Sequence, residues 1–288
     1  MPTLPVPGSP SQQPSQHPSR HDPHRRRDVA ESYGADAERY DRARPRYPET
    51  LVERIVDASP GPDFLDVGCG TGIVARQFRA AGRRVLGVEP DARMAGLARR
   101  LGVDVEETVF EEWEPGGREF DAVVAGTAWH WVDPVAGAAR AARVLRPGGL
   151  LAVFWNVPQL PPELLEAIAD SAERVLPDPL FDFRTLLTRP AATAYQTILD
   201  RAADGIRQTG AFGELQQWRH DWEFTYSRDA WLDVMPTQGA FTRLPTEHLA
   251  RLLEAAGAAI DAQGGSFTAT YATLTVAAKR PVRAAQAS

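Results

Sequence analysis

Three glycines at alternate positions, Gly68, Gly70 and Gly72, follow closely on an acid, Asp66, at the end of the short apolar run Asp63-Phe64-Leu65-Asp66-Val67. Glycines in that pattern take positive φ and present no Cβ, so a ligand can lie against bare main chain. Free amide groups at a helix N-terminus behind the loop favour a carboxylate or phosphate. A second acid, Glu89, ends the run Arg84-Val85-Leu86-Gly87-Val88, 21 residues beyond Gly68. A carboxylate there can accept both hydrogen bonds of a ribose diol. Further on, Trp129-His130-Trp131 sets an imidazole between two indoles. Indole faces attract a cation within about 6 Å by about 0.5 to 2 kcal/mol, and an imidazole of ordinary pKa near 6.5 suits proton transfer close to neutrality. The alternative for this cluster is packing: Trp129 and Trp131 bury area under the next helix while His130 bonds a nearby backbone group.

The spacing of the glycines separates two ligand classes. A dinucleotide fingerprint wants G-x-G-x-x-G. Counted from Gly68, the sixth position is Ile73, and a glycine stands one place early at Gly72. Asp66 at the mouth of the loop would repel a phosphate-rich ligand and attract one carrying an ammonium and a sulfonium.

The elements that must position these residues follow from periodicity. Phe64, Leu65 and Val67 form a buried strand, and Ile73, Val74, Gln77 and Phe78 recur at helical spacing behind the loop. Met94, Leu97, Ala98 and Leu101 mark an amphipathic helix, and Val103 to Glu106 a short third strand. Phe120 to Ala125 is a fourth strand leading into the Trp129-His130-Trp131 cluster, and Asp133-Pro134 supplies an N-cap and first helical residue. Leu150 to Phe154 gives a fifth strand. Ligands of open α/β sheets bind beyond the carboxyl ends of the strands, which places Trp129, His130 and Trp131 at the rim of the site.

Asp66-Val67-Gly68-Cys69-Gly70-Thr71-Gly72 followed by Val88-Glu89-Pro90 resembles the cofactor signature of class I S-adenosylmethionine-dependent methyltransferases, and the likeness runs from about Tyr33 to Asn156. It is similar in style to the small-molecule enzymes of ubiquinone and menaquinone biosynthesis and to trans-aconitate methyltransferases. The resemblance implies an α/β, Rossmann-like, seven-stranded sheet, mostly parallel with an antiparallel last strand, helices on both faces and a helical cap insertion. S-adenosylmethionine is then the methyl donor. Asp66, Gly68, Gly70, Gly72, Glu89, Pro90, Thr127 and Trp131 fall to the cofactor, Phe110 and Glu111 to its adenine. The segment Tyr40-Asp41-Arg42-Ala43-Arg44-Pro45-Arg46-Tyr47-Pro48 is similar to one that covers the cofactor in such enzymes, which implies that Tyr40, Arg44 and Tyr47 face the methionine end of the donor or the acceptor. Tyr40 and Arg44 are assigned to the cofactor, and Tyr33, Tyr47 and Trp129 to the substrate, with His130 as the catalytic candidate. The alternative for the aromatics is that they pack an N-terminal helix on the sheet.

Composition narrows the partners. The 288 residues are 43% hydrophobic and carry a formal charge of −6, which suits one large core and argues against a surface built to neutralise phosphates. The single cysteine excludes an internal disulfide and a cysteine-based zinc site, and no apolar run reaches the roughly 18 residues of a membrane span. A cytoplasmic monomer or homodimer without metal, nucleic acid or membrane partner is expected. Residues 1–27, rich in Pro, Ser, Gln and His, read as a disordered tail, 28–58 as a helical lid and 59–156 as the cofactor-binding core. Residues 157–245 read as a cap for substrate recognition that includes a late strand, 246–279 as a closing helix and strand, and 280–288 as a tail.

The position after the fourth strand reads Gly-Thr-Ala-Trp-His-Trp rather than the Asn/Asp-Pro-Pro-aromatic motif of DNA amino-methylating enzymes, and Cys69 lies inside the cofactor loop, away from any nucleophile position. Methyl transfer to a small metabolite, with oxygen favoured over nitrogen or carbon, is the expected function. A nicotinamide-dependent oxidoreductase and a catalytically silent binder of S-adenosylmethionine stand as the alternatives.

Overall fold

The computed structural model describes residues 32–175, 184, 187, 191–239 and 241–282. The tail expected at 1–27, and residues 283–288 of the one expected at 280–288, lie outside the described residues. A short 3-10 turn at Tyr33–Asp36 leads into helix α1 (Ala37–Ala43), and the Pro-rich stretch to Pro48 breaks the chain before α2 (Glu49–Ala58). Then β1 (Asp63–Val67), α3 (Ile73–Ala80), β2 (Arg84–Val88), α4 (Ala92–Arg100), β3 (Asp104–Glu106) and β4 (Phe120–Gly126) alternate. After a 3-10 turn at Trp129–Trp131 come α5 (Pro134–Val144), β5 (Leu145–Gln159), α6 (Pro162–Val175) and α7 (Ala191–Gln208). The chain closes with β6 (Gln216–Ser227), α8 (Arg228–Val234), α9 (Thr246–Ala262) and β7 (Ser266–Lys279).

The seven strands form one sheet in the order β3-β2-β1-β4-β5-β7-β6. Strands β1 to β5 pair in parallel, and β7 runs antiparallel to both β5 and β6. Helices cover both faces, which is why the central strands read as continuous apolar runs instead of alternating ones. Leu65, Val123 and Val153 pack on one face with Ala138 and Ala141 of α5 and Leu199 and Ile206 of α7. Phe64, Ala122 and Phe154 pack on the other with Leu51 and Ile55 of α2 and Val74 and Phe78 of α3. Asp133 caps α5 by accepting from the amides of Val135 and Ala136 at 3.0 and 2.8 Å, with Pro134 behind it.

Among the described residues of 157–245, the late strand expected there joins the main sheet, and the helices divide between the core and an added unit. Strand β6 is the edge of the main sheet, paired with β7 from Gln216↔Ala277 to Ser227↔Ser266. Helix α7 lies against α5 and the sheet as a core helix. The added unit is assembled from two separate places: α6 after β5, and α8 with α9 between β6 and β7. It is held by its own apolar cluster of Leu164, Ile168, Trp231, Leu252 and Ile260 against Tyr226, Phe267 and Tyr271. The long strands make this possible. β5 and β7 stay paired as far as Gln159↔Thr270, well past the carboxyl end of β4, and so provide a shelf for the extra helices.

Candidate active site

The strand order reverses at β1, with β2 on one side and β4 on the other, and a ligand cleft is expected beyond the carboxyl ends at such a switch point. A cleft opens there, between the glycine loop, the end of β4 and the lid residues Tyr40, Arg44, Pro45 and Tyr47.

All three loop glycines have positive φ, at 63°, 56° and 82° for Gly68, Gly70 and Gly72, but they serve different ends. A Cβ on Gly68 would meet the Ala128 methyl at 2.7 Å and one on Gly72 the Val103 side chain at 2.9 Å, so these two let the loop pack. A Cβ on Gly70 would meet nothing within 4 Å and would enter the cleft that Gly70 lines. Gly70 is therefore where a ligand can approach the main chain. The amides of Gly68 and Cys69 turn back to the Val88 carbonyl at 2.8 and 3.2 Å, tying the loop to the end of β2.

Two carboxyl groups flank the loop. Asp66 is fully buried, lines the cleft, and its carboxylate meets no counter-charge among the described residues, only the weak pull of the Ala75 amide. Burial pushes its pKa well above the ordinary value; the Ala75 amide offsets part of this and the charge of Glu89 adds to it. Glu89 accepts from the Gly70 amide at 2.8 Å and from the Asp91 amide at 2.9 Å, one on each oxygen. Burial raises its pKa to about 7 against those two bonds. Each oxygen retains a lone pair, the capacity a pair of vicinal hydroxyls requires.

The lid is latched to this loop by a residue that the sequence reading passed over. Asp41 accepts from the Thr71 hydroxyl at 2.7 Å and from Arg76 of α3 at 2.6 Å. Arg42 forks onto Asp233 of α8 at 2.8 and 2.9 Å, so α1 bridges the glycine loop and the added unit. Tyr47 donates to or accepts from Thr127 at 2.8 Å, and burial raises its hydroxyl above the ordinary tyrosine range. Thr127 has φ 53°, an unusual conformation for a β-branched residue, and its amide bonds the Phe154 carbonyl at 2.7 Å. Strain of this kind gathers at functional sites.

His130 accepts at Nδ1 from the Trp155 indole at 3.1 Å. An indole N–H only donates, so Nδ1 carries no proton and the neutral ring must carry its proton on Nε2. Burial lowers the imidazole pKa to about 4, so this tautomer holds at neutral pH. The ring thus offers an N–H donor at Nε2, which favours a positioning role over that of a base for this catalytic candidate. Trp131 is half-buried, 4.6 Å from the imidazole and 6.4 Å from Tyr33, which in turn stands 6.0 Å from Tyr40.

Four expected contacts are placed elsewhere. Trp129 is 1% exposed and sits in the core with Val132, so it packs α5 on the sheet and does not face a substrate. Phe110 is 3% exposed and leans on Trp113 and Trp129 at 6.2 Å each; its ring is core, not an adenine clamp. Glu111 accepts from the Asp133 amide at 2.8 Å, steadying the start of α5. Pro90 is exposed and outside the cleft lining. Asn156, on the long extension of β5, does line the cleft, and its Oδ1 accepts from Thr273 at 2.7 Å. The end of an unusually long strand run was the only sequence signal for it.

The sheet order with its antiparallel seventh strand, and a glycine loop at the switch point with an unpaired acid beside it, are those of a class I S-adenosylmethionine-dependent methyltransferase. Such a donor fits the residues present: Asp66 for positive charge, Glu89 for the ribose, and open main chain at Gly70. Residues 40–263 match the model of a family described as a methyltransferase domain, and the chain belongs to that family. An uncharacterized methyltransferase of Mycobacterium bovis is 36% identical over 136 residues, 46% of this chain and 54% of that one. A ubiquinone biosynthesis O-methyltransferase of Bradyrhizobium sp. is 37% identical over 100 residues, 32% of this chain and 39% of that protein. The chain thus spans about half the length, or less, of these curated relatives. A solved structure assigned as a type II methyltransferase, from Anaeromyxobacter dehalogenans, aligns with a TM-score of 0.60 at 24% identity over 83% of this chain and 98% of that one, a likeness of fold. No helix among the described residues is long and apolar enough to cross a membrane, and no group of three or more His, Cys, Asp or Glu among them could hold a metal.

Proposed function

We propose that this protein moves a methyl group from S-adenosylmethionine to an oxygen of a small-molecule acceptor. The observation that carries the reading is Asp66: a fully buried carboxylate with no counter-charge among the described residues, facing the cleft beside an open glycine. A buried charge without a counter-charge is costly, and a cationic ligand relieves it. When bound, the donor supplies an electrophilic methyl group on a sulfonium.

The chain's own residues hold and orient. Asp66 and Gly70 receive the cationic end of the donor, Glu89 receives the ribose, and the lid closes through Asp41. The cleft, roofed by Tyr40, Arg44 and Tyr47, suits a small acceptor more than a macromolecule. His130 donates from Nε2 to an acceptor oxygen and fixes its direction of attack without taking its proton. Positioning alone can account for about 7 to 11 kcal/mol of barrier lowering. The similarity to ubiquinone biosynthesis O-methyltransferases supports oxygen as the nucleophile.

The test is untargeted. The protein is incubated with methyl-labelled S-adenosylmethionine and a small-molecule extract, and labelled products are identified by mass. Label in low-mass O-methyl compounds is expected. Absence of any transferred label, or label confined to added protein or nucleic acid, would refute the reading.

A further inference from the structure

The lid carries a cation that the described residues leave without a counter-charge. Its other arginines are paired: Arg39 and Arg42 with Asp233, and Arg46 with Asp41. Arg44 has no carboxylate within ion-pair distance among the described residues. It lines the cleft, donates from one Nη to the Thr237 carbonyl, and has a buried Nε with no partner. The groups gathered about the guanidinium are phenols. Tyr40 lies with its ring centroid 4.9 Å away, and Tyr33, Tyr47, Tyr195, Tyr226 and Tyr271 are all within electrostatic range. A guanidinium with spare donors among hydroxyls that can also donate is complementary to a ligand that only accepts, and a carboxylate matches the planar fork.

Two carboxylates could be presented there, that of the donor's methionine portion and one on the acceptor. The neighbours of Arg44 decide between them. Thr237, Tyr195, Tyr226 and Tyr271 come from the segment after α8, from α7 and from β6 and β7, and none of them lines the cleft against the glycine loop. Arg44 thus joins the cleft to groups that lie outside its lining, and its hydrogen bond to the Thr237 carbonyl is made there.

We infer that Arg44, with the Tyr40 ring against it, forms an anion subsite that anchors a carboxylate of the methyl acceptor, a carboxylate that is held and not itself methylated. This rests on the transferase reading above and names the substrate class for that same site.

The experiment compares wild type with Arg44→Gln and Arg44→Lys. S-adenosylhomocysteine, which carries the methionine carboxylate, is titrated calorimetrically into each. Labelled products from the metabolite extract are then separated by anion exchange. We expect S-adenosylhomocysteine affinity to change less than twofold, label to appear in products retained as anions, and Arg44→Gln to cut that labelling by about 10- to 100-fold, with partial recovery in Arg44→Lys. A loss of S-adenosylhomocysteine affinity above tenfold in Arg44→Gln would assign the subsite to the donor and overturn the inference. So would label found only in neutral products. No label at all from any extract, with S-adenosylhomocysteine still bound, would defeat the transferase reading itself and this inference with it.

Discussion

Glu89 makes donor binding depend on pH in a way that can be calculated. Its carboxyl is about half protonated at neutrality, because burial lifts its pKa to about 7. A ribose diol donates two hydrogen bonds to the ionised form, so the bound state holds the carboxyl near or below the ordinary value of about 4.3. Binding must therefore expel the proton. The apparent Kd then scales as one plus ten to the power of pKa minus pH, a factor of about 11 at pH 6 and about 1.1 at pH 8. Affinity should be about tenfold weaker at pH 6 than at pH 8, a difference of about 1.4 kcal/mol, with about half a proton released at pH 7. Asp66 titrates beside it, so the quantity to read is the difference between wild type and Glu89→Gln. Titration calorimetry in buffers of different ionisation enthalpy measures both Kd and proton release. A wild-type affinity flat from pH 6 to 8, or an equal slope in Glu89→Gln, would refute the reasoning.

Two further predictions concern the other buried titratable groups. The imidazole of His130 is held neutral, so its pKa near 4 costs stability as pH falls from about 6.5 toward 4, while the unfolded chain takes up the proton. Wild type should lose about 1.2 kcal/mol relative to His130→Gln between pH 7 and pH 5.5, read from urea midpoints. In the same protein, nitrogen-15 shifts should show a protonated Nε2 and a bare Nδ1. Trp155→Phe should erase that preference, and a bare Nε2 in wild type would contradict it. Asp66→Asn removes a charge that burial disfavours. The folded pKa is raised, so the wild type's deficit grows as pH rises through it. The variant should melt a few degrees higher at pH 8, at about 2 to 4 °C per kcal/mol, while donor affinity collapses; a lower melting temperature with unchanged affinity would mean that Asp66 only packs.

Much of the frame was legible because it rests on local rules. The loop glycines need positive φ whatever the rest of the chain does, and Phe64, Leu65 and Val67 are apolar together because helices cover both faces of β1. What was not legible depended on depth and on contacts distant in sequence. Phe110 and Trp129 occupy the order along the chain in which a ligand contact is reasonable, yet each points into the core, and a short aromatic segment without period gives no side for its rings. Asp41 reads as one charge among many on a surface helix until Thr71 and Arg76 close on it from a distance of thirty residues or more. The place of the late strand was hidden for a related reason. Strand β6 pairs with β7 across two intervening helices, and nothing local to either strand announces a partner so far along the chain.

The protonation of His130 shows how one buried partner can select a tautomer. In sequence, a histidine at a strand end with an ordinary pKa is open to base, acid or structural use. Trp155, fully buried in β5, has a single N–H to donate and directs it at Nδ1. That one bond leaves Nε2 as the donor, and the depressed pKa keeps a second proton away. An acceptor whose nucleophile must lose a proton would then release it elsewhere, to water or to a group of its own. An acceptor already ionised needs no base, and it is the kind of ligand that both an N–H donor at His130 and a spare cation at Arg44 would favour. The two residues lie at the ends of one aromatic chain, His130 to Trp131 to Tyr33 to Tyr40 to Arg44, which ties the imidazole to the lid.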